Sequence, residues 1–216
     1  MQIAIGLYPG FTALDAIGPY QVLANVPGAE VLLCAQRAGR LSDDAGLLHL
    51  DIEHTFDEVS APDVLLVPGG FVTRRLVRDG DAIVDWVGAA HATTTFTTSV
   101  CTGALVLGAA GVLDGLDATT HWFAYEELAR FGARPTEQRV VRQGKVWTAA
   151  GVSAGIDLGL AMAAELWGED VAKAVQLGIE YDPQPPFDSG SPSKADPEIL
   201  ALVRAISEQR EADALG

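Results

Sequence analysis

Cysteine is scarce in this sequence: Cys34 and Cys101 are the two among 216 residues. So few do not make a disulfide framework, and there is no CxxC, no HExxH and no His/Cys/Asp/Glu cluster at metal-ligand spacing. Neither a metal nor another cofactor is expected. Basic residues are also few, with 14 Lys and Arg against 29 Asp and Glu and a formal net charge of −15. That field repels nucleic-acid phosphates and anionic lipid surfaces, and no basic patch offsets it, so neither is expected as a partner. The opening MQIAIGLYPGF lacks the basic and long apolar segments of a secretory signal, which points to the cytoplasm. A run without formal charge, Trp86 to Leu113, has 28 residues, more than the roughly 20 that cross a bilayer. His91, five threonines before Ser99, Ser99 itself and Thr102 would bring polar groups into lipid, and Gly103 and Gly108 interrupt its second half. A strand, a turn and a buried helix fit it better.

What is present is apolar residue, 49% of the chain, enough to build one full hydrophobic core. Strand-length apolar runs alternate with helical-period segments. Ile3–Leu7, Val31–Ala35, Asp63–Val67 and Thr94–Thr98 read as strands; Thr12–Ala24, Asp81–Ala90, Thr102–Ala110 and Ser153–Trp167 read as helices, the last with a serine cap. Gly39 to Gly46 reads as a loop, and residues 139–142 and 146–149 as a hairpin across Gln143-Gly144. Alternation of this kind predicts an α/β fold, a doubly wound, mostly parallel sheet with helices on both faces. Residues 183–197 hold five of the eleven prolines and read as a stiff, extended arm leading to a last helix near 197–211. Domain organisation follows: residues 1–182 form the main unit, and 183–216 an arm and helix packed on it.

In a doubly wound sheet, ligands bind beyond the carboxyl ends of the strands, which directs attention to the residues after Leu7, Val67 and Thr98. Thr98-Ser99-Val100-Cys101-Thr102-Gly103 places a thiol where a strand turns into a helix, with small neighbours, as in a nucleophile elbow. A helix N-terminus there is expected to favour the thiolate. Cys34, inside a strand, reads as a small buried hydrophobe. Pro68-Gly69-Gly70 offers bare backbone amides for holding an anion, or is a plain turn. Asp15, a carboxylate in an apolar stretch, is either a first-turn helix acid or an acid–base group with a raised pKa. His121 is a base for Cys101 or, the better reading of its spacing, a core histidine. Trp122, Phe123 and Phe187 are candidates for lining a pocket, and Glu180-Tyr181-Asp182 reads as a solvated corner.

At these residues the chain resembles the ThiJ/PfpI branch of the class I glutamine amidotransferase-like superfamily, and within it the isonitrile-hydrating members. The resemblance runs through Leu14-Asp15-Ala16-Ile17-Gly18-Pro19-Tyr20, Val67-Pro68-Gly69-Gly70, Thr98–Gly103, Ala118-Thr119-Thr120-His121-Trp122 and Pro185–Pro192. It implies a flavodoxin-like fold, a homodimer, Cys101 as nucleophile, Asp15 as essential carboxylate and Thr102 as a polar neighbour. The implied reaction is hydration of a small-molecule isonitrile to an N-substituted formamide, with Gly69 and Gly70 amides stabilising charge. Proteases of the superfamily carry His directly after the cysteine; Thr102 stands there, so that dyad is missing. Glyoxalase- and deglycase-like members generally place Glu near the first helix, where Asp15 is shorter. Those activities on reactive carbonyls, and ligand or redox sensing without catalysis, are the alternatives. A DNA-binding regulator is disfavoured by the charge and by the short stretch after residue 182.

Overall fold

The computed structural model describes residues 1–215. In chain order the elements are β1 (Gln2–Leu7), α1 (Ala13–Leu23), β2 (Glu30–Ala35), β3 (Gly39–Ser42), β4 (His49–Ile52), β5 (His54–Thr55), β6 (Val64–Val67), α2 (Thr73–Asp79), α3 (Ala82–His91), β7 (Phe96–Val100), α4 (Gly103–Ala109), β8 (Asp117–Ala118), α5 (Tyr125–Arg130), β9 (Arg134–Pro135), β10 (Val140–Gln143), β11 (Val146–Ala149), α6 (Ala154–Trp167), α7 (Glu169–Gly178) and α8 (Pro197–Leu215). The main sheet runs β10-β11-β7-β6-β1-β2-β5 and is parallel except for the β10–β11 hairpin.

β6 reads as an unbroken apolar run because both of its faces are covered, whereas its neighbour β7 carries the buried polar residues Thr97, Thr98 and Ser99. Every residue of β6 and β7 is buried. Helices α1, α6 and α7 pack together, and α2, α3 and α4 form a second group. The chain leaves β1 for β2 on one side and returns to β6 on the other, so the crevice beyond β1 and β6 is the switch point of the sheet. Asp15 follows β1, Gly69 follows β6 and Cys101 follows β7, which brings three distant segments to one edge.

Four details differ from the sequence reading. The strand expected at Thr94–Thr98 begins at Phe96, because Thr93 and Thr94 side chains bond the last carbonyls of α3 and belong to its exit turn. The loop containing Gly39 and Gly46 belongs to a hairpin, β3–β4, whose four-residue strands carry only Leu41, Leu50 and Ile52 as apolar residues, too few to stand out. Ser153 precedes α6, but its hydroxyl accepts from Arg139 Nη2 (3.2 Å) and caps nothing. The proline segment folds back in a turn at Ser191–Ala195 before α8 begins. Its helix returns to the main body: Arg74 pairs with Glu211 (2.6 Å), Arg75 donates to the Ala214 carbonyl (2.9 Å), and the Arg210 guanidinium lies 4.4 Å from the Phe71 ring centre. No helix among the described residues is long and apolar enough to cross a membrane.

Candidate active site

Cys101 sits at the junction of β7 and α4 with φ +57°, in the left-handed region that L-residues with a side chain rarely occupy. That conformation costs roughly 1–2 kcal/mol and survives only when neighbours hold it. Here the Cys101 amide donates to both Ala149 and Ala150 carbonyls (3.1 Å each), and Thr120 Oγ1 donates to the Cys101 carbonyl (2.8 Å). The backbone turn thus aims Sγ back over the sheet edge, at a residue only 6% exposed.

Facing the sulfur is Asp15, fully buried in the first turn of α1. One carboxylate oxygen, Oδ2, accepts from the Gly69 amide at 2.9 Å. The other, Oδ1, is buried without a hydrogen-bond partner among the described residues. Burial pushes the Asp15 carboxyl up to about 7, the Gly69 amide and the Cys101 thiol partly oppose this, and the Asp44 charge adds to it. Burial and the Asp15 charge also drive the Cys101 thiol well above its ordinary value, while the Thr102 and Val152 amides lower it. The expectation that a helix terminus would favour the thiolate is therefore overridden: α4 is only seven residues long, and desolvation beside a carboxylate outweighs it. Neither group ionises freely next to the other. The two form a coupled pair in which, as the pH rises through about 7, the carboxyl gives up its proton while the thiol keeps its own, leaving one negative charge and one proton between them.

The glycine loop has a different task from the one expected. The Gly69 amide is committed to Asp15, and the Gly70 amide donates to Thr102 Oγ1 (3.0 Å), which in turn lies 3.1 Å from the Gly70 carbonyl as its donor. Neither amide is free to hold an anion; the amides that lower the Cys101 thiol are those of Thr102 and Val152. Instead the loop fastens three segments. A Cβ on Gly69 would lie 2.6 Å from the Thr102 nitrogen and 2.8 Å from Asp15 Oδ2, and one on Gly103 would lie 2.2 Å from the Val67 carbonyl oxygen. Only glycine permits so close an approach.

The histidine stands outside this pair's chemistry. His121 accepts from the Phe123 amide through Nδ1 (3.4 Å), and burial holds it down at about 4, so it is neutral around pH 7 and is no cationic partner for a thiolate. Trp122 borders an open pocket of about 130 Å³ that is also lined by Ser189–Pro192 and by Ile199, Leu200 and Val203 of α8. Phe187, by contrast, is 79% exposed on the arm and lines nothing in this chain. Cys34 is buried in β2, where burial alone raises its thiol to about 12. Among the described residues no three His, Cys, Asp or Glu side chains converge as a metal site requires.

Reading the sequence missed Val152, because it acts through its backbone amide, which leaves no trace in residue type. Tyr8 was also missed: its hydroxyl donates to the Pro68 carbonyl at 2.6 Å and braces the glycine loop. Its position directly after β1 was an available signal.

Comparison with known proteins identifies the family. The model of the DJ-1/PfpI family matches residues 1–165. An isonitrile hydratase of Pseudomonas putida is 44% identical over 204 residues, covering 94% of this chain and 89% of that protein. A solved ThiJ/PfpI family protein from Pseudomonas syringae superposes with a TM-score of 0.91 at 38% identity, over 99% of this chain and 88% of its own. The transcriptional regulator CdhR of Pseudomonas aeruginosa is 29% identical over 81% of this chain, which spans 53% of the regulator. A family match over that much of the sequence, joined to a close structural likeness along the whole chain, has one reading: the chain belongs to the DJ-1/PfpI family.

Proposed function

We propose that this protein hydrates isonitriles to N-substituted formamides, with Cys101 as nucleophile and Asp15 as the acid–base group. The observation that carries the substrate class is the 44% identity to an isonitrile hydratase across nearly the whole of both chains. The mechanism is supported by the site itself: a desolvated thiol and a desolvated carboxyl share one proton, and a terminal isonitrile carbon needs a nucleophile and a proton together.

In the first step Sγ bonds to the isonitrile carbon as the shared proton is delivered to that carbon from the Asp15 carboxyl, giving the thioimidate R–N=CH–S–Cys101. Asp15, now ionised, takes a proton from water as the water oxygen adds to the same carbon, and passes that proton to the imine nitrogen, giving R–NH–CH(OH)–S–Cys101. The C–S bond then breaks with its electron pair returning to sulfur while the hydroxyl proton passes to Asp15, and R–NH–CHO leaves with the pair restored to one proton. The net change is addition of one water. The unpartnered Asp15 Oδ1 is the oxygen free to exchange the proton, because Oδ2 is held by Gly69. The Thr102 and Val152 amides stabilise the sulfur whenever it carries charge. Thr102 Oγ1, engaged with Gly70, acts by holding the elbow against the glycine loop rather than by orienting water.

Purified protein mixed with cyclohexyl isocyanide is expected to yield N-cyclohexylformamide by chromatography, and Cys101→Ala none. Absence of product with the intact protein overturns the reading. The active form carries one proton on the pair, so kcat/KM is expected to fall as the pH drops below about 7, where Asp15 becomes protonated while the thiol keeps its proton. As the resemblance implies, the working form is taken to be a cytoplasmic homodimer, and sedimentation at twice the chain mass is the expected outcome.

A further inference from the structure

Gly69 is bound to the first turn of α1 through both of its backbone groups. Its amide donates to Asp15 Oδ2 (2.9 Å), and its carbonyl accepts from the amide of Thr12, the residue before α1 (2.8 Å). The Asp15 amide in turn donates to the Thr12 carbonyl (3.1 Å), so the glycine and the carboxylate close a ring of hydrogen bonds. The N–H that holds Asp15 belongs to the peptide group joining Pro68 to Gly69. The carbonyl of that same peptide accepts from the Tyr8 hydroxyl at 2.6 Å. Tyr8 and Asp15 are both buried. A buried phenol, one peptide group and a buried carboxylate are therefore joined in series.

We propose that Tyr8 is a positioning residue that acts on Asp15 through the Pro68–Gly69 peptide. Its hydroxyl fixes the plane of that peptide and polarises it, which holds the Gly69 N–H on Asp15 Oδ2 as a stronger donor. A peptide whose carbonyl accepts a hydrogen bond carries more positive charge on its N–H, and bonds in such a chain strengthen one another by about 10–30% each. A charged acceptor gains most from this, so the relay favours the carboxylate over the carboxylic acid. Tyr8 also stays a donor. It is faced by Asp15 from α1, Cys101 from the elbow, Asp44 from the β3–β4 turn and Asp81 before α3, and burial with these charges holds its phenol well above the ordinary value. Asp15 itself faces Cys101 and Asp44 besides.

The inference rests on Asp15 as the acid–base group only for its effect on rate, and its test needs no isonitrile. The Gly69 amide proton, followed by NMR across the titration of Asp15, reads both the strength of its own bond and the ionisation of the carboxylate it meets. Tyr8→Phe keeps the ring and removes the hydroxyl. It is expected to move that proton upfield, to leave the Gly70 amide on Thr102 little changed, and to raise the Asp15 midpoint by roughly half a pH unit. Turnover of cyclohexyl isocyanide is then expected to show kcat/KM about threefold lower below the midpoint and unchanged well above it. The lost bond also lowers the thermal midpoint, as it would for a purely structural tyrosine, so the titration decides. Replacing the four tyrosines by 3-fluorotyrosine, a stronger donor, is expected to reverse both NMR shifts, and it decides alone should Tyr8→Phe fail to fold. An unmoved Asp15 midpoint overturns the proposal. So does a moved midpoint with an unmoved Gly69 proton, which would mean that the phenol acts on Asp15 through space. Failure of isonitrile hydration with these shifts intact would remove the proposed substrate and leave the relay standing.

Discussion

The two cysteines stand at matching places in the fold and differ in almost every chemical respect. Both follow apolar residues of parallel strands, and both are nearly inaccessible, Cys34 at 0% and Cys101 at 6% exposure. Cys34 keeps extended strand geometry, and among the described residues its thiol makes one polar contact, a weak bond from Sγ to the Ile5 carbonyl at 3.7 Å. Its thiol is raised by burial and by nothing else. Cys101 is buried as well, but it sits on a left-handed backbone, and its thiol is raised by a neighbouring carboxyl and lowered by two backbone amides. Burial alone therefore makes an inert thiol. Burial with donors for the anion and a partner for the proton makes one that is held in reserve until substrate arrives.

The largest expected effect separates the two outright. Cys101→Ala abolishes formamide production at any substrate concentration, whereas Cys34→Ala retains activity within about twofold, since small apolar replacements in a core act on stability more than on a distant site. Turnover of cyclohexyl isocyanide by both variants checks this.

Next in size is Asp15→Asn, which keeps the shape but cannot cycle a proton. It is expected to lower kcat by about 10²–10⁴-fold and to remove the acid limb near pH 7 from the rate profile. The same variant tests the cost of the site. In the folded chain Asp15 holds its proton up to about pH 7, against 3.8 ordinarily, so the fold's stability falls as the pH rises between those values. Asp15→Asn removes that loss. Its thermal midpoint is expected to exceed that of the unmodified chain at pH 8, by on the order of a few kcal/mol in stability, with the gap closing toward pH 4. Thermal scans across that range provide the check.

A smaller change is expected from Thr102→Val, which leaves the Gly70 amide without its acceptor. An unsatisfied buried donor costs about 1–3 kcal/mol of stability, and a loosened elbow is expected to slow turnover roughly tenfold. Denaturant titration and steady-state rates measure the two parts separately.

The smallest effect sharpens the comparison at the level of the backbone. Cys101→Gly is expected to be about 1 kcal/mol more stable than Cys101→Ala, because only glycine adopts φ +57° without strain. At Cys34 the order reverses, and Cys34→Gly is expected to be the less stable of its pair by roughly 0.5–1 kcal/mol, since glycine weakens a strand interior. Urea unfolding of the four variants gives both differences, and equal signs at the two positions would remove the claim that backbone strain distinguishes them.

The sheet's core strands and the long helices were legible in the residues because hydrophobic periodicity is local: Ile3–Leu7, Val31–Ala35 and Ser153–Trp167 lie within a residue or two of their observed bounds. The short polar pieces were not. The β3–β4 hairpin and helix α2, with arginines at Arg74, Arg75 and Arg78, carry too little apolar pattern to stand out. The residues of the candidate site were legible too, since Asp15, Gly69, Cys101 and Thr102 each follow a strand that ends at the same edge. Their partners were not, and two expectations failed on that account, the free glycine amides and the favoured thiolate.

By itself, the sequence determined the order of strands and helices, the glycines that permit close approach and the presence of a thiol and a carboxyl where strands end. Tertiary structure alone decided which amide meets which oxygen or sulfur. Gly69 reaches Asp15 across 54 positions of sequence and Gly70 reaches Thr102 across 32, while Val152 contributes a group that every residue but proline possesses. Backbone amides carry no signature in the residue alphabet, and their energies depend on direction over a few tenths of an ångström. The protonation of Asp15 and Cys101 followed from the same cause, because desolvation and a neighbour's charge are properties of the folded surroundings and not of the side chain.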